Sequence, residues 1–257
     1  MKNILVMLFF LIGTLAHAAF LDDDLDGVAN EDDRCPNSAL TDIVDADGCA
    51  VEKVTFKKEH HFDISVGYLY AKVDANSSQN AKSLSVGYYY GDFSAWLYTS
   101  DYNLQSGESG IDDTTLALYY RWKQPTYTFK AGAGGYIPTE SQNGNNTDYF
   151  VMARVVYYVG FYDIAAEYQH TFMQDDATTD SDRLTLSTGY AFTPKSYASL
   201  SYTEQSSIYE EEANLRTLSL YVNHFLNEHW FLSAELSKGL SDSATDFICG
   251  VYVGYYF

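Results

Sequence analysis

The residues best placed to do chemistry lie close to the start of the chain. The run Asp22-Asp-Asp-Leu-Asp26-Gly27-Val-Ala-Asn30-Glu-Asp-Asp33 puts oxygen-bearing side chains at positions 1, 3, 5, 9 and 12 of a twelve-residue frame, with glycine at position 6. Ca²⁺ takes roughly six to eight hard oxygen ligands at flexible distances, and a tight glycine turn lets alternate side chains converge on one ion. The candidate ligands are therefore Asp22, Asp24, Asp26, Asn30 and Asp33, with Val28 offering its backbone carbonyl from position 7. An EF-hand is a poor match, because Asp33 is shorter than the usual Glu and no amphipathic helices flank the loop. The plain alternative is a solvated acidic linker that holds no ion.

Cys35-Pro-Asn follows directly, and Val44-Asp45-Ala-Asp47-Gly48-Cys49 comes after it. Together these residues resemble a thrombospondin type 3 calcium repeat, similar to the version found between barrel and periplasmic domain in many outer-membrane-protein-A-like proteins. The resemblance implies that Asp22, Asp24, Asp26, Val28, Asn30 and Asp33 wrap Ca²⁺ and that Cys35 and Cys49 form a disulfide. A bridge closing a loop of about 15 residues is worth roughly 3 kcal/mol in the chain-entropy model. Such a staple matters in so acidic a segment, which has almost no core of its own. Asp45 and Asp47 open a second frame, but its remainder is missing.

A second constellation is scattered along the rest of the chain. Arg121, Lys130, Arg154, Glu167 and Glu235 share the polar face of alternating segments, with Asp63 and Asp163 nearer one end. Counted from the short turns, Lys130, Arg154, Glu167 and Glu235 fall at similar depth. A basic wall facing acids across a lumen suits a polar, water-filled constriction. The same charges could instead neutralise one another and plug a narrow barrel, and the inward rings Tyr89, Tyr119, Tyr221 and Tyr252 also argue for narrowness. His170 and His224 point outward, while His60, His61 and His229 lie at segment ends. No serine stands beside them in a lipase-like motif, so a lipid-modifying enzyme is the weakest reading. Gly132-Ala-Gly-Gly135 is no phosphate loop: it lies in a strand, where glycine marks a bend or a close approach. Cys249 reads as a small hydrophobe on the apolar face.

The elements that must position these residues have period two. Leu184, Leu186, Thr188, Tyr190 and Phe192 oppose Thr185, Ser187, Gly189 and Ala191; Phe247, Cys249, Val251, Val253, Tyr255 and Phe257 oppose Ile248, Gly250, Tyr252, Gly254 and Tyr256. Such alternation marks a strand between two unlike environments. It predicts twelve strands, at about 62–73, 82–91, 93–102, 113–123, 126–137, 148–159, 161–172, 182–193, 196–204, 214–225, 229–238 and 246–257. Short connections alternate with long ones, and an even count of strands of about ten residues is the pattern of a bacterial outer-membrane barrel. A soluble sandwich would have shorter strands, of about 5–6 residues. The expected fold is all-β: a 12-stranded antiparallel transmembrane up-and-down barrel at 60–257, preceded by a short irregular calcium-binding segment at 19–59. Aromatic residues cluster near the short-turn end, as in an interfacial belt. Terminal Phe257 with Tyr255 resembles the assembly signal of such barrels, which implies the barrel-assembly machinery as a partner, although the upstream glycine is out of register.

Composition narrows the function. Among 257 residues, 35 acids against 15 Lys and Arg give a net charge of −20, which excludes a nucleic-acid backbone as partner. The run from Ile4 to Leu15 is too short for a membrane helix; with Lys2 before it and Ala16-His17-Ala18 after it, residues 1–18 read as a secretory signal peptide. The expected product is a protein of the bacterial outer membrane, among lipids and lipopolysaccharide, with its N-terminal segment in the periplasm and open to a partner there. Its expected role is a narrow passive channel for small polar solutes or ions. The alternative is a non-conducting structural or adhesive envelope protein, its acidic long loops turned outward.

Overall fold

A computed structural model describes residues 33–35, 42–45, 47–53, 60–73, 77–139, 146–175, 177–209 and 213–257. The signal peptide and the candidate ligands Asp22, Asp24, Asp26, Val28 and Asn30 lie outside the described residues. Contacts divide the chain into two units, Met1–Lys57 and Lys58–Phe257.

In the first unit, strands β1 (Asp42–Val44) and β2 (Ala50–Lys53) form an antiparallel hairpin with Asp42 opposite Lys53. Its turn closes when the Gly48 amide donates to the Asp45 carbonyl (3.1 Å), with Gly48 at φ 75°, a left-handed conformation that glycine adopts without a Cβ clash. Cys35 and Cys49 are disulfide-bonded, their Cα atoms 5.1 Å apart.

The second unit is a closed antiparallel barrel of twelve long strands. They are β3 (His60–Lys72), β4 (Ser78–Tyr90), β5 (Phe93–Leu104), β7 (Thr114–Lys123), β8 (Tyr127–Ile137), β9 (Asp148–Val159), β10 (Tyr162–Phe172), β11 (Ser181–Thr193), β12 (Ser196–Gln205), β13 (Leu215–Phe225), β14 (Trp230–Gly239) and β15 (Phe247–Tyr256). A three-residue strand, β6 (Ser109–Ile111), folds back on β5 beyond the barrel wall. Each long strand pairs with its sequence neighbours, and β15 closes the cylinder on β3, with Tyr252 opposite Gly67. Closure gives every strand two partners, which a wall in hydrocarbon requires. The alternation fixed these strands to within a residue or two except at β4, which begins at Ser78 because the polar run Ser78-Gln-Asn-Ala-Lys82 pairs without an apolar face to announce it.

Large apolar side chains point away from the lumen: Val66, Leu118, Val151, Ile164, Leu186 and Val251 are among them, 46–61% exposed. Water would not tolerate so continuous a patch on a monomer, whereas acyl chains would. Near the short turns the outer face carries contiguous rings, including Phe62–Tyr88, Tyr120–Trp122, Tyr190–Phe192 and Tyr255–Phe257, with centroids 4.6–5.0 Å apart. Two of those turns, Gly91-Asp92 and Gly160-Phe161, hold glycine at φ 60° and 59°. The turn before β14 is longer, four residues from Leu226 to His229, and the connection from β3 to β4 on the opposite end is only five, so the contrast of turn lengths is looser than the sequence implied.

Candidate lumen site

Inward side chains are mostly small and polar, and the larger ones are arranged with glycines. Gly67 faces the Tyr252 ring, Gly132 the Tyr119 ring, Gly189 the Tyr197 hydroxyl and Gly254 the Phe231 ring; a Cβ at any of the four would collide with its partner. Tyr252, Tyr119 and Phe231 sit directly opposite their glycines in the strand register. Each ring therefore lies down along the wall instead of crossing the bore. Gly132 and Gly134, from the glycine-rich run, receive Tyr119 and Phe150 in this way, which is the close approach the sequence suggested.

The charged residues gather at mid-height. Arg154 on β9 pairs with Glu167 on β10 (Nη1–Oε2 3.3 Å), and Arg183 on β11 approaches the other oxygen of the same carboxylate (Nη2–Oε1 3.7 Å). Arg183 also donates to Gln169 Oε1, and Gln169 Nε2 donates to the Tyr136 hydroxyl (3.0 Å). The Lys130 ammonium sits 3.7 Å from the centroid of the Tyr119 ring, beside Arg154 in the register. The arrangement differs from basic residues facing acids across an open bore. Glu167 lies within the basic wall, because antiparallel pairing sets it directly beside Arg154. Arg183 was missed on sequence, although it has the same parity as inward Thr185 and Ser187.

The remaining predicted lumen residues lie apart from this waist. Glu235 on β14 accepts a hydrogen bond from Ser237 Oγ (2.8 Å) and faces a chamber nearer the short turns. Asp63 lines the same chamber, hydrogen-bonded by Tyr89 and only 7% exposed. Arg121 turns toward the short-turn end, where Nη2 donates to the Gly91 carbonyl (3.5 Å). A second cavity, of about 250 Å³, opens above the waist between Asp113, Asp148, Tyr136, Gln169 and Arg183. Asp113 there has its carboxyl pushed above the ordinary carboxylate range, by burial first and then by the charges of Asp148, Asp112 and Asp175.

No family model and no curated protein matches the chain. Solved structures do match. An outer membrane channel from Pseudomonas putida F1 superposes with a TM-score of 0.63 at 15% identity, covering 80% of this chain and 100% of that one. The NanC porin gives 0.56 at 11% identity, covering 76% and 98%, and the KdgM porin 0.54 at 15%, covering 75% and 99%. The fold is thus that of a porin-like outer-membrane barrel.

Register also creates one pair that sequence could not reveal. Ser196 and His224 face each other across β12 and β13, with Oγ 2.8 Å from Nδ1, on the outer surface near the short turns. Among the described residues no carboxylate orients His224, so the third member that activates such a pair is missing. On the opposite rim His170 lies between Asp182 (2.8 Å) and Asp180 (3.6 Å), again facing outward. In the first unit Asp33 accepts the Cys35 amide on one oxygen (2.7 Å) while its other oxygen is buried without a hydrogen-bond partner. An orphaned, inward carboxylate oxygen fits a cation ligand. Asp45 is engaged with the amides of Asp47 and Cys49, and Asp47 with Arg34, so these two acids are committed to the turn. Among the described residues no cluster of three metal-ligating side chains forms.

Proposed function

We propose that this chain is a narrow passive channel of the bacterial outer membrane, admitting small polar solutes or ions. One observation carries the reading: the closed barrel holds cavities of about 420 and 250 Å³ on either side of a charged waist, the first walled mostly by rings and the second mostly by polar groups, so side chains do not fill the bore. Charged groups clamped by one another at a constriction discriminate by sign and size while leaving room for water. The solved relatives in fold are named as a channel and as porins, which supports the same reading. No catalytic role is proposed.

The chain enters and leaves the barrel at its short-turn end, the periplasmic end in this class of barrel. We accordingly assign the acidic prefix to the periplasm and propose that Asp22, Asp24, Asp26, Val28, Asn30 and Asp33 hold Ca²⁺, supported by the unpartnered oxygen of Asp33. Planar-bilayer recordings with and without Ca²⁺ test the channel, and limited proteolysis with and without Ca²⁺ tests the ion site. Discrete conductance steps are expected, and calcium binding should protect the prefix from proteolysis. Protein that inserts and never conducts overturns the channel.

A non-conducting envelope protein is the second reading. The Arg154–Glu167–Arg183 pairing favours it, since ion pairs can close a bore as well as line one. The same recording decides between them.

A further inference from the structure

We propose that the chamber on the short-turn side of the waist is a binding site for small organic cations bearing an ammonium group. The inference rests on the channel reading only for how a solute arrives; the site itself is argued from its walls.

The chamber encloses about 420 Å³, within the range of small-ligand sites. Eight of its fourteen lining residues are aromatic, and its two charged residues, Asp63 and Glu235, are both acidic. Neither forms an ion pair among the described residues; each receives a hydroxyl, Asp63 that of Tyr89 and Glu235 that of Ser237. No Lys or Arg lines the chamber. Arg154 and Arg183 are committed to Glu167 and Lys130 to the Tyr119 ring. Arg121, at the short-turn end, makes a long hydrogen bond to the Gly91 carbonyl (3.5 Å) and is close enough for its charge to act on Tyr89 and Tyr256, without forming an ion pair with Asp63. Two carboxylates are thus set in a ring-walled space without an ion-pair partner among the described residues, Glu235 being the one farther from Arg121.

The rings settle which cation fits. A metal ion wants several convergent oxygens, and the chamber offers two separated carboxylates. An alkylated ammonium is stabilised over ring faces and against a carboxylate together, and it loses little hydration on entering. The ring of Tyr252, laid along the wall over Gly67, and the edge-on pair Tyr89–Trp96 (centroids 6.2 Å apart) present such surfaces beside Glu235 and Asp63 respectively. Ser85, Ser233 and Asn223 supply hydrogen bonds for a polar tail. A neutral sugar would use the rings and could donate hydroxyls to the acids, but it lacks the charge attraction that an ammonium gains from them.

Calorimetric titration of the full-length protein in detergent tests this without requiring conduction. Choline is the probe, 3,3-dimethylbutanol its neutral isostere, and glucose the sugar control. Choline should bind, and the isostere should bind at least tenfold more weakly. Glu235→Gln should weaken choline by about tenfold, the value of one unit charge about 6 Å away at an effective dielectric of about 40, and Trp96→Leu should weaken it several-fold. Both variants must keep the β-rich circular dichroism of the parent, and the comparison of choline with its isostere on the parent stands if either fails to fold. Equal binding of choline and isostere, preferential binding of glucose, or no choline binding overturns the inference. Choline binding by a barrel that never conducts leaves the site standing and removes the channel; conduction without choline binding does the reverse.

Discussion

Neutralising Glu167 should turn the waist toward anions, by an amount that can be worked out. Lys130, Arg154 and Arg183 meet a single acid there, and Glu167→Gln removes the acid with little change of shape. An ion passing about 7 Å from one unit charge in water feels about 0.6 kcal/mol, roughly halved by screening at 0.1 M salt. Because the change acts with opposite sign on cations and anions, about 0.3 kcal/mol each alters their permeability ratio about threefold. Across a tenfold KCl gradient, whose ideal limit is about 59 mV, the reversal potential should move by about 20 mV toward the anion side. Arg154→Ala should move it in the opposite direction. The measurement is the zero-current potential of single channels in a planar bilayer. A Glu167→Gln shift toward the cation limit, or one under about 5 mV, would refute the claim that these residues border the ion path.

Four other outcomes are expected. Val251→Arg places a charge on the lipid face at mid-strand and should destabilise the barrel by about 2–4 kcal/mol in a urea titration in lipid. Gly132→Val would push a Cβ into the Tyr119 ring and to 2.7 Å from the Leu118 carbonyl; a loss of about 1–3 kcal/mol is expected, read from the same titration. Asp113 titrates above its unfolded value, so the folded state gains from its protonation: that contribution is present at pH below the ordinary carboxylate range and is lost as pH rises through the raised folded value. Protection factors for hydrogen exchange in residues 105–113, which correct for the intrinsic slowing of exchange in acid, should therefore rise on acidification, and Asp113→Asn should remove that rise. Reducing the Cys35–Cys49 bridge should expose the first unit to protease, with roughly 3 kcal/mol of restraint lost, while the unfolding midpoint of the barrel stays put.

Strand number, strand bounds and the lipid-facing side were legible in the sequence because a wall between lipid and water must alternate, and alternation is a local property. Leu184, Leu186 and Phe192 announce their face without reference to any partner strand. The same parity marked Arg154, Glu167 and Glu235 as inward. It failed at Ser78–Ala81, where Ser-Gln-Asn-Ala pairs with β3 without an apolar alternation of its own.

What sequence left open was which inward groups meet. Parity assigns a side of the wall, while height depends on the stagger between strands, accumulated around the whole cylinder. Glu167 therefore belongs to Arg154 and Arg183 rather than to a distant wall, and Glu235 belongs with Asp63 in a separate aromatic chamber. Ser196 and His224, 28 residues apart, are a pair only because β12 and β13 align them. The glycine–ring partnerships have the same origin: Gly67 and Tyr252 meet only when the last strand closes on the first. Alternation, set by each strand alone, chose what faces water, and ring closure, set by all twelve together, chose what faces what.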